Sequence, residues 1–201
     1  MLMPTLKPLR LVRKRKSNSG FTLIEVLVTL GIIASLLVAG AMALRSAFDA
    51  NIKSAALHLS STLRYLSSKS VTDKLYLRIV YNFDERSYQV EQSSEPFVIE
   101  TNTPQENEKK KDDQQQFVVI EQGSLKPVVF PRGIFFKDIS VSFYPDKIEK
   151  GVAYTYFFPD GFATPTVINL RDEDDQVHYS IDLSPFSGQV KVESNYHEME
   201  R

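Results

Sequence analysis

Cysteine is absent from the 201 residues, which removes disulfide frameworks, thiol nucleophiles and cysteine-based metal sites. That absence is compatible with an exported protein and does not demand one. Histidine is scarce: His58, His178 and His197 stand far apart, with no H-x-x-x-H spacing that would hold zinc, and are read as surface or interface residues. No G-x-S-x-G nucleophile setting and no G-x-x-x-x-G-K-[ST] phosphate loop occurs, so neither hydrolase nor nucleotide-driven chemistry is expected. The acidic run Asp172–Asp175 could offer oxygens to calcium, but the D-x-D-x-D-G order and a closing glutamate are missing, and an exposed hairpin tip is the expectation. No catalytic residue, metal or cofactor is therefore expected.

What the sequence does have is a long apolar run. Gly20–Leu44 reads GFTLIEVLVTLGIIASLLVAGAMAL and contains one charge, Glu25. A helix from Phe21 to Leu44 would be roughly 36 Å long, against a hydrocarbon core of about 30 Å, so the segment can cross a bilayer. A carboxylate inside such a span is costly unless it meets a positive partner, which marks Glu25 as a functional candidate rather than a passive interfacial residue. Proline is missing from Phe21–Phe48, leaving Gly31 and Gly40 as the only intrinsic weak points, each costing roughly 1 kcal/mol relative to alanine.

Acid is missing from the first twenty residues, which carry Lys7, Arg10, Arg13, Lys14, Arg15 and Lys16. The positive-inside rule keeps this leader cytoplasmic and sends the remainder outward. An ordinary secretory signal has its small-residue cleavage site after the apolar stretch. Here the small residue precedes it.

Ser17-Asn18-Ser19-Gly20 followed by Phe21-Thr22-Leu23-Ile24-Glu25-Val26 resembles the processing site of type IV prepilins and type II secretion pseudopilins. The resemblance implies that prepilin peptidase cuts between Gly20 and Phe21 on the cytoplasmic side. It further implies that Phe21 becomes an N-methylated N-terminus and that Glu25 pairs with the α-amino group of a neighbouring subunit. Electrostatics agrees, because two opposite charges satisfying each other in low dielectric cost far less than either alone. Removal of the six leader cations takes the balance from 24 basic and 25 acidic residues to 18 and 25, about −7 with histidines neutral. That balance argues against a general nucleic-acid binder.

Beyond the span, Ala47–Ser70 lacks glycine and proline and places Ile52, Ala56, Leu59, Leu63 and Leu66 on one helical face, with Lys53, Ser54, Ser61, Arg64 and Ser68 opposite. From Leu75 the period becomes that of strands. Leu75–Tyr81, a turn at Asn82–Arg86 and Tyr88–Glu91 read as a hairpin. Further strands are expected at Phe97–Glu100, Phe117–Glu121, Val128–Phe130, Ile139–Tyr144, Ala153–Phe158, Thr166–Leu170, Val177–Leu183 and Gln189–Glu193. Between Thr101 and Gln116 the chain has no apolar residue, cannot repay its ordering entropy by burial, and is expected to be a solvated insertion. Its Lys109–Lys111 run is offset by Glu106, Glu108, Asp112 and Asp113.

Phe157-Phe158-Pro159-Asp160-Gly161, Ile168-Asn169-Leu170, Tyr179–Leu183 and Ser187-Gly188-Gln189-Val190 give a second resemblance, to the minor pseudopilin H family of type II secretion. The expected fold class is α+β and pilin-like, a long N-terminal helix packed on a mostly antiparallel sheet domain. The expected organisation is a cleaved leader at 1–20, a membrane and filament-core helix at 21–48, an amphipathic helix at 49–70 and a periplasmic β-rich domain at 71–201 with the insertion at 101–116. The family implies an inner-membrane subunit, with partners in prepilin peptidase, other major and minor pseudopilins and an inner-membrane assembly platform. It would join a periplasmic filament that promotes export of folded proteins. A minor pilin of a type IV pilus or DNA-uptake machine is the first alternative; the tail from Val192 to Arg201, with Glu193, Glu198 and Glu200 against Arg201, lacks the basic patch a DNA-handling version needs. A signal-anchored periplasmic enzyme is the second.

The Gly20-Phe21 junction generates a direct test. Mass spectrometry of the mature protein should find Phe21 at the N-terminus and methylated, and Gly20→Val should leave the leader attached, because a β-branched side chain crowds the scissile residue. Cleavage after Ala39 or Ala43 would instead mean ordinary secretion.

Overall fold

A computed structural model describes residues 21–97, 99, 117–121, 123–186 and 188–199, without the side chains of 41–49 and 124. The leader 1–20, Gly20 included, and the insertion 101–116 lie outside the described residues. Among the described residues the chain forms one α-helix, α1 (Leu23–Asp73), and nine strands: β1 (Tyr76–Asn82), β2 (Ser87–Ser93), β3 (Val118–Val119), β4 (Val128–Val129), β5 (Ile134–Val141), β6 (Val152–Phe157), β7 (Thr166–Asp172), β8 (His178–Leu183) and β9 (Val190–Glu193). It divides into two compact units, one ending at Ala43 and the other beginning at Leu44. The architecture is α+β, a helix followed by antiparallel sheets.

In the second unit, the 3.6-residue period of the helix and the two-residue period of the strands meet in one core. Ile52, Ala56, Leu59, Leu63 and Leu66 are at most 1% exposed. They join Leu77, Ile79 and Tyr81 of β1, Ile168 and Leu170 of β7, and Ile181 of β8. Each such aliphatic side chain contributes about 1.5–3 kcal/mol when removed from water. The expected polar face behaves as its composition requires, with Lys53, Ser54, Ser61, Arg64 and Ser68 exposed.

Two sheets carry this core. The first has the order β3-β2-β1-β6, with β4 also pairing β2; the second has the order β5-β7-β8-β9, and every pairing is antiparallel. The β1–β2 hairpin turns at the expected place, through Arg86 at φ 52°, with the side chain of Asn82 accepting the Glu85 amide at 3.0 Å.

Three strands differ from expectation. Strand β5 starts at Ile134 and ends at Val141, five residues before the expected start and three before the expected end. A register shift between Phe136 and Asp138 is responsible: Ile134 and Phe136 are buried in one phase, Ile139 and Val141 in the other, so no single alternation runs through the segment. Phe97 and Ile99 lie outside any strand. Phe97 is held by rings instead, at 4.9 Å from Phe117 and stacked at 5.7 Å on Phe158. Only Val118–Val119 of the expected Phe117–Glu121 strand pairs, with Gln92 and Glu91.

Both turn glycines of the second resemblance face α1. Gly161, at φ 91°, would place a Cβ 3.5 Å from Val71, an ordinary contact. Gly188, at φ 59°, would place one 2.5 Å from Ser67 Oγ and 3.0 Å from Ser67 Cβ, too close without movement of the helix or the turn. Left-handed backbone alone costs a non-glycine residue roughly 1–2 kcal/mol. Chemical denaturation of the full chain should therefore rank Gly188→Ala as the more destabilising substitution, and equal losses for Gly188→Ala and Gly161→Ala would show that the contact with Ser67 is not tight.

Candidate assembly site at the N-terminus

Phe21 and Thr22 precede the helix, and Leu23 is its first residue. The turn is closed by Thr22, whose carbonyl accepts the amides of Glu25 at 3.0 Å and Val26 at 3.2 Å. Its hydroxyl accepts the Glu25 amide at 3.3 Å. Thr22 is thus the N-cap, its hydroxyl sharing the Glu25 amide with its own carbonyl. Glu25 stands three residues on, the acidic position of a T-x-x-E capping box, and lies in the first turn, where the positive end of the helix dipole favours a carboxylate. Phe21 and Val26 occupy the two positions of a hydrophobic staple.

Beyond Glu25 the helix is apolar on every face as far as Gly40. Leu23–Gly40 has a mean hydropathy of 2.4 with none of it buried, and is long and apolar enough to cross a membrane. Leu23 is 82% exposed and Leu37 69%. A helix apolar all round needs an apolar surrounding. Its hydroxyls are satisfied internally: Thr29 donates to the Val26 carbonyl at 2.9 Å and Ser35 to that of Ile32 at 2.8 Å. A Cβ at Gly31 or Gly40 would meet nothing within 4 Å, so packing inside this chain does not require glycine at either position.

The other candidates are held separately. His58 Nδ1 lies 2.7 Å from the Tyr88 hydroxyl, and burial pushes that phenol up to about 12. His178 Nδ1 stands 3.8 Å from Asp175, and the backbone carbonyl of His197 accepts from Asn169 Nδ2 at 2.9 Å. In the β7–β8 turn, Asp172 Oδ1 accepts the amides of Gln176 at 2.7 Å and Val177 at 3.0 Å. Asp175 takes both its oxygens to Lys137 Nζ at 2.9 Å, which holds its carboxyl below the usual range. Those carboxylates serve the turn and an ion pair. Among the described residues, no group of three or more His, Asp or Glu side chains is arranged to hold a metal ion.

Sequence reasoning did not single out Thr22 as a cap, although T-x-x-E before an apolar run is the signal that finds one. Nor did it find the buried polar groups of the sheets. Arg78 and Glu91 are cross-strand partners in a buried ion pair of 2.7 Å, with Phe117 over the guanidinium at 3.9 Å. Asp138, Asn169 and Ser180 form a buried row across β5, β7 and β8. Strand alternation hides such pairs, because it assigns polar residues to the wet face.

Residues 15–41 match the prokaryotic N-terminal methylation motif. The chain therefore carries that motif at the start of a long helix that is followed by antiparallel sheets. Two solved structures of the minor pseudopilin EpsH from the type II secretion system of Vibrio cholerae share its fold. One has a TM-score of 0.52 at 9% identity, over 76% of this chain and 99% of that one. The other has a TM-score of 0.50 at 10% identity, over 72% and 97%. No curated protein matches the chain by sequence.

The cap is open to a direct test. In detergent micelles Thr22→Ser should keep the first turn intact, whereas Thr22→Val should speed hydrogen exchange at the Glu25 amide about fivefold, the equivalent of about 1 kcal/mol for a lost N-cap. Equal exchange in Thr22→Val and the parent would remove Thr22 from that role.

Proposed function

We propose that this chain is a minor pseudopilin of a type II secretion system, a non-enzymatic subunit of a periplasmic pseudopilus that promotes export of folded proteins across the outer membrane. The observation that carries the reading is the joint occurrence of the methylation motif at 15–41 and a fold shared with EpsH over nearly all of that chain. Neither alone would suffice, since the motif is common to pili and pseudopili and the fold is matched at low identity.

In this reading, prepilin peptidase removes the leader 1–20 at the cytoplasmic face and leaves the apolar helix in place. Phe21 gains a methylated α-amino group and Glu25 provides its counter-charge between neighbouring subunits. The span holds the protein in the inner membrane, N-terminus inside, with the sheet domain in the periplasm. Major and minor pseudopilins and the assembly platform are its partners, and the energy for assembly comes from a motor elsewhere.

Glu25→Leu tests the charge pair. The substitution makes the span more apolar, so insertion should persist, and it touches nothing in the core of the second unit, so that unit should fold normally. Crosslinking to partner pseudopilins should fail and export should be lost, because the neighbour's α-amino group is left unpaired at a cost of several kcal/mol. Glu25→Asp should be intermediate. Wild-type crosslinking and export in Glu25→Leu would assign assembly to contacts of the sheet domain alone. Intact export with loss of surface pili on deletion of the protein would move it to a pilus system.

A further inference from the structure

Three polar side chains interrupt the apolar stretch Leu23–Gly40: Glu25, Thr29 and Ser35. Helical geometry places Thr29 one turn past Glu25 and about 40° round the axis from it, so the two share a face. Ser35 lies about 80° round on the other side and about 15 Å further along. Each hydroxyl commits its one hydrogen to the helix itself, Thr29 to the Val26 carbonyl at 2.9 Å and Ser35 to the Ile32 carbonyl at 2.8 Å. A hydroxyl so committed has only lone pairs left to offer. Beside the one acid of the span, therefore, stands a neutral group that can only accept.

The cation that Glu25 calls for is a methylated α-amino group, which carries two N–H bonds. Away from water both need acceptors. With N···O distances of about 2.9 Å and a tetrahedral angle at nitrogen, those acceptors stand about 4.7 Å apart. The two oxygens of one carboxylate are too close together for that, whereas side chains one turn apart start about 5–6 Å from each other at Cβ. A helical side chain leans toward the N-terminus, and the bond to the Val26 carbonyl holds the Thr29 hydroxyl over the turn that carries Glu25. The Thr22 hydroxyl is less available, since it already accepts the Glu25 amide at 3.3 Å.

We propose that Thr29 is the second acceptor of the assembly site: the N-terminal ammonium of a processed neighbouring subunit gives one N–H to Glu25 and the other to the Thr29 hydroxyl. The inference rests on the reading of Glu25 as the counter-charge of such a neighbour, and it adds what fixes the ammonium along the helix. A carboxylate alone attracts a cation from many directions. A carboxylate and a hydroxyl one turn apart select one depth, and with it one axial stagger between the two subunits. Thr29 is thus a positioning residue, and the site takes an ammonium with at least two N–H bonds.

Crosslinking of the full chain to partner pseudopilins in membranes, at limiting partner, reads the contribution of Thr29. Thr29→Val keeps the shape and loses the acceptor, and should lower crosslinking at least about tenfold, as expected for a hydrogen bond to a charged group. Thr29→Ser should restore it. Ser35→Ala removes a hydroxyl with the same internal bond from another face and should crosslink like the parent. Equal loss in Thr29→Val and Ser35→Ala, or parent-level crosslinking in Thr29→Val where Glu25→Leu is defective, would overturn the proposal. Parent-level crosslinking in Glu25→Leu would overturn the reading beneath it and the proposal together. A second measurement needs no substitution: with nitrogen-15 confined to the partner's N-terminal amine, that nitrogen should couple to a carbon-13 label at Thr29 Cβ at about 4 Å or less. A coupling to the Glu25 carboxyl without one to Thr29 would overturn the proposal and leave the Glu25 pair standing.

Discussion

The carboxylate of Glu25 lies in the first turn of a helix whose next fifteen residues carry no charge and have no side chain buried by the protein itself. In a bilayer that position is tolerable on three conditions: the acid lies close to the interface, the helix N-terminus supplies partial positive charge, or a cation stands beside it. Thr22 and the first-turn placement meet the second condition within the chain. They do so only partly, because a dipole end is worth about 0.3–1 kcal/mol against a desolvation cost several times larger. The third condition requires a cation beside the carboxylate, and cutting before Phe21 would create one at the new N-terminus. Under the proposed function, processing and recruitment would be two consequences of one electrostatic deficit.

The second unit solves a different problem, the burial of one face of a helix. Two antiparallel sheets give that face its partner, and the residues that position the sheets are not all apolar. Gly188 lets the β8–β9 turn approach Ser67 at a distance no Cβ could tolerate, while Gly161 makes a looser turn near Val71. The Arg78–Glu91 pair beneath Phe117 links β1 to β2 on the face away from the core. Such a buried pair is weak evidence for net stability, but removing one partner would leave an uncompensated charge.

Legibility in the sequence follows the physics of each element. The stripe from Ile52 to Leu66 was readable because helical period and burial coincide, and the strands β1, β2, β7 and β8 because each sets buried apolar residues two apart: Leu77, Ile79 and Tyr81; Tyr88 and Val90; Ile168 and Leu170; Ile181 and Leu183. Strand β5 was not, since Lys137 at the bulge reverses the phase midway. Phe97 reads as a strand residue by composition, yet its place is fixed by rings distant in sequence. At the N-terminus, G-F-T-L-I-E-V marked the segment, but the capping role of Thr22 was overshadowed by the charge of Glu25. The row Asp138, Asn169 and Ser180 was hidden because its members bond one another and, from Asn169 and Ser180, backbone carbonyls of the tail, which no local pattern announces.

The central claim is that Glu25 is ionised and paired across a subunit boundary. Solid-state NMR on filaments or membranes can measure this as a dipolar coupling between a carbon-13 label at the Glu25 carboxyl and nitrogen-15 at the N-terminal amine of partner subunits, each label confined to one protein. The account predicts an ionised carboxylate and a coupling equivalent to about 4 Å or less, the range of an ion pair. A protonated carboxyl with no intersubunit coupling would contradict it.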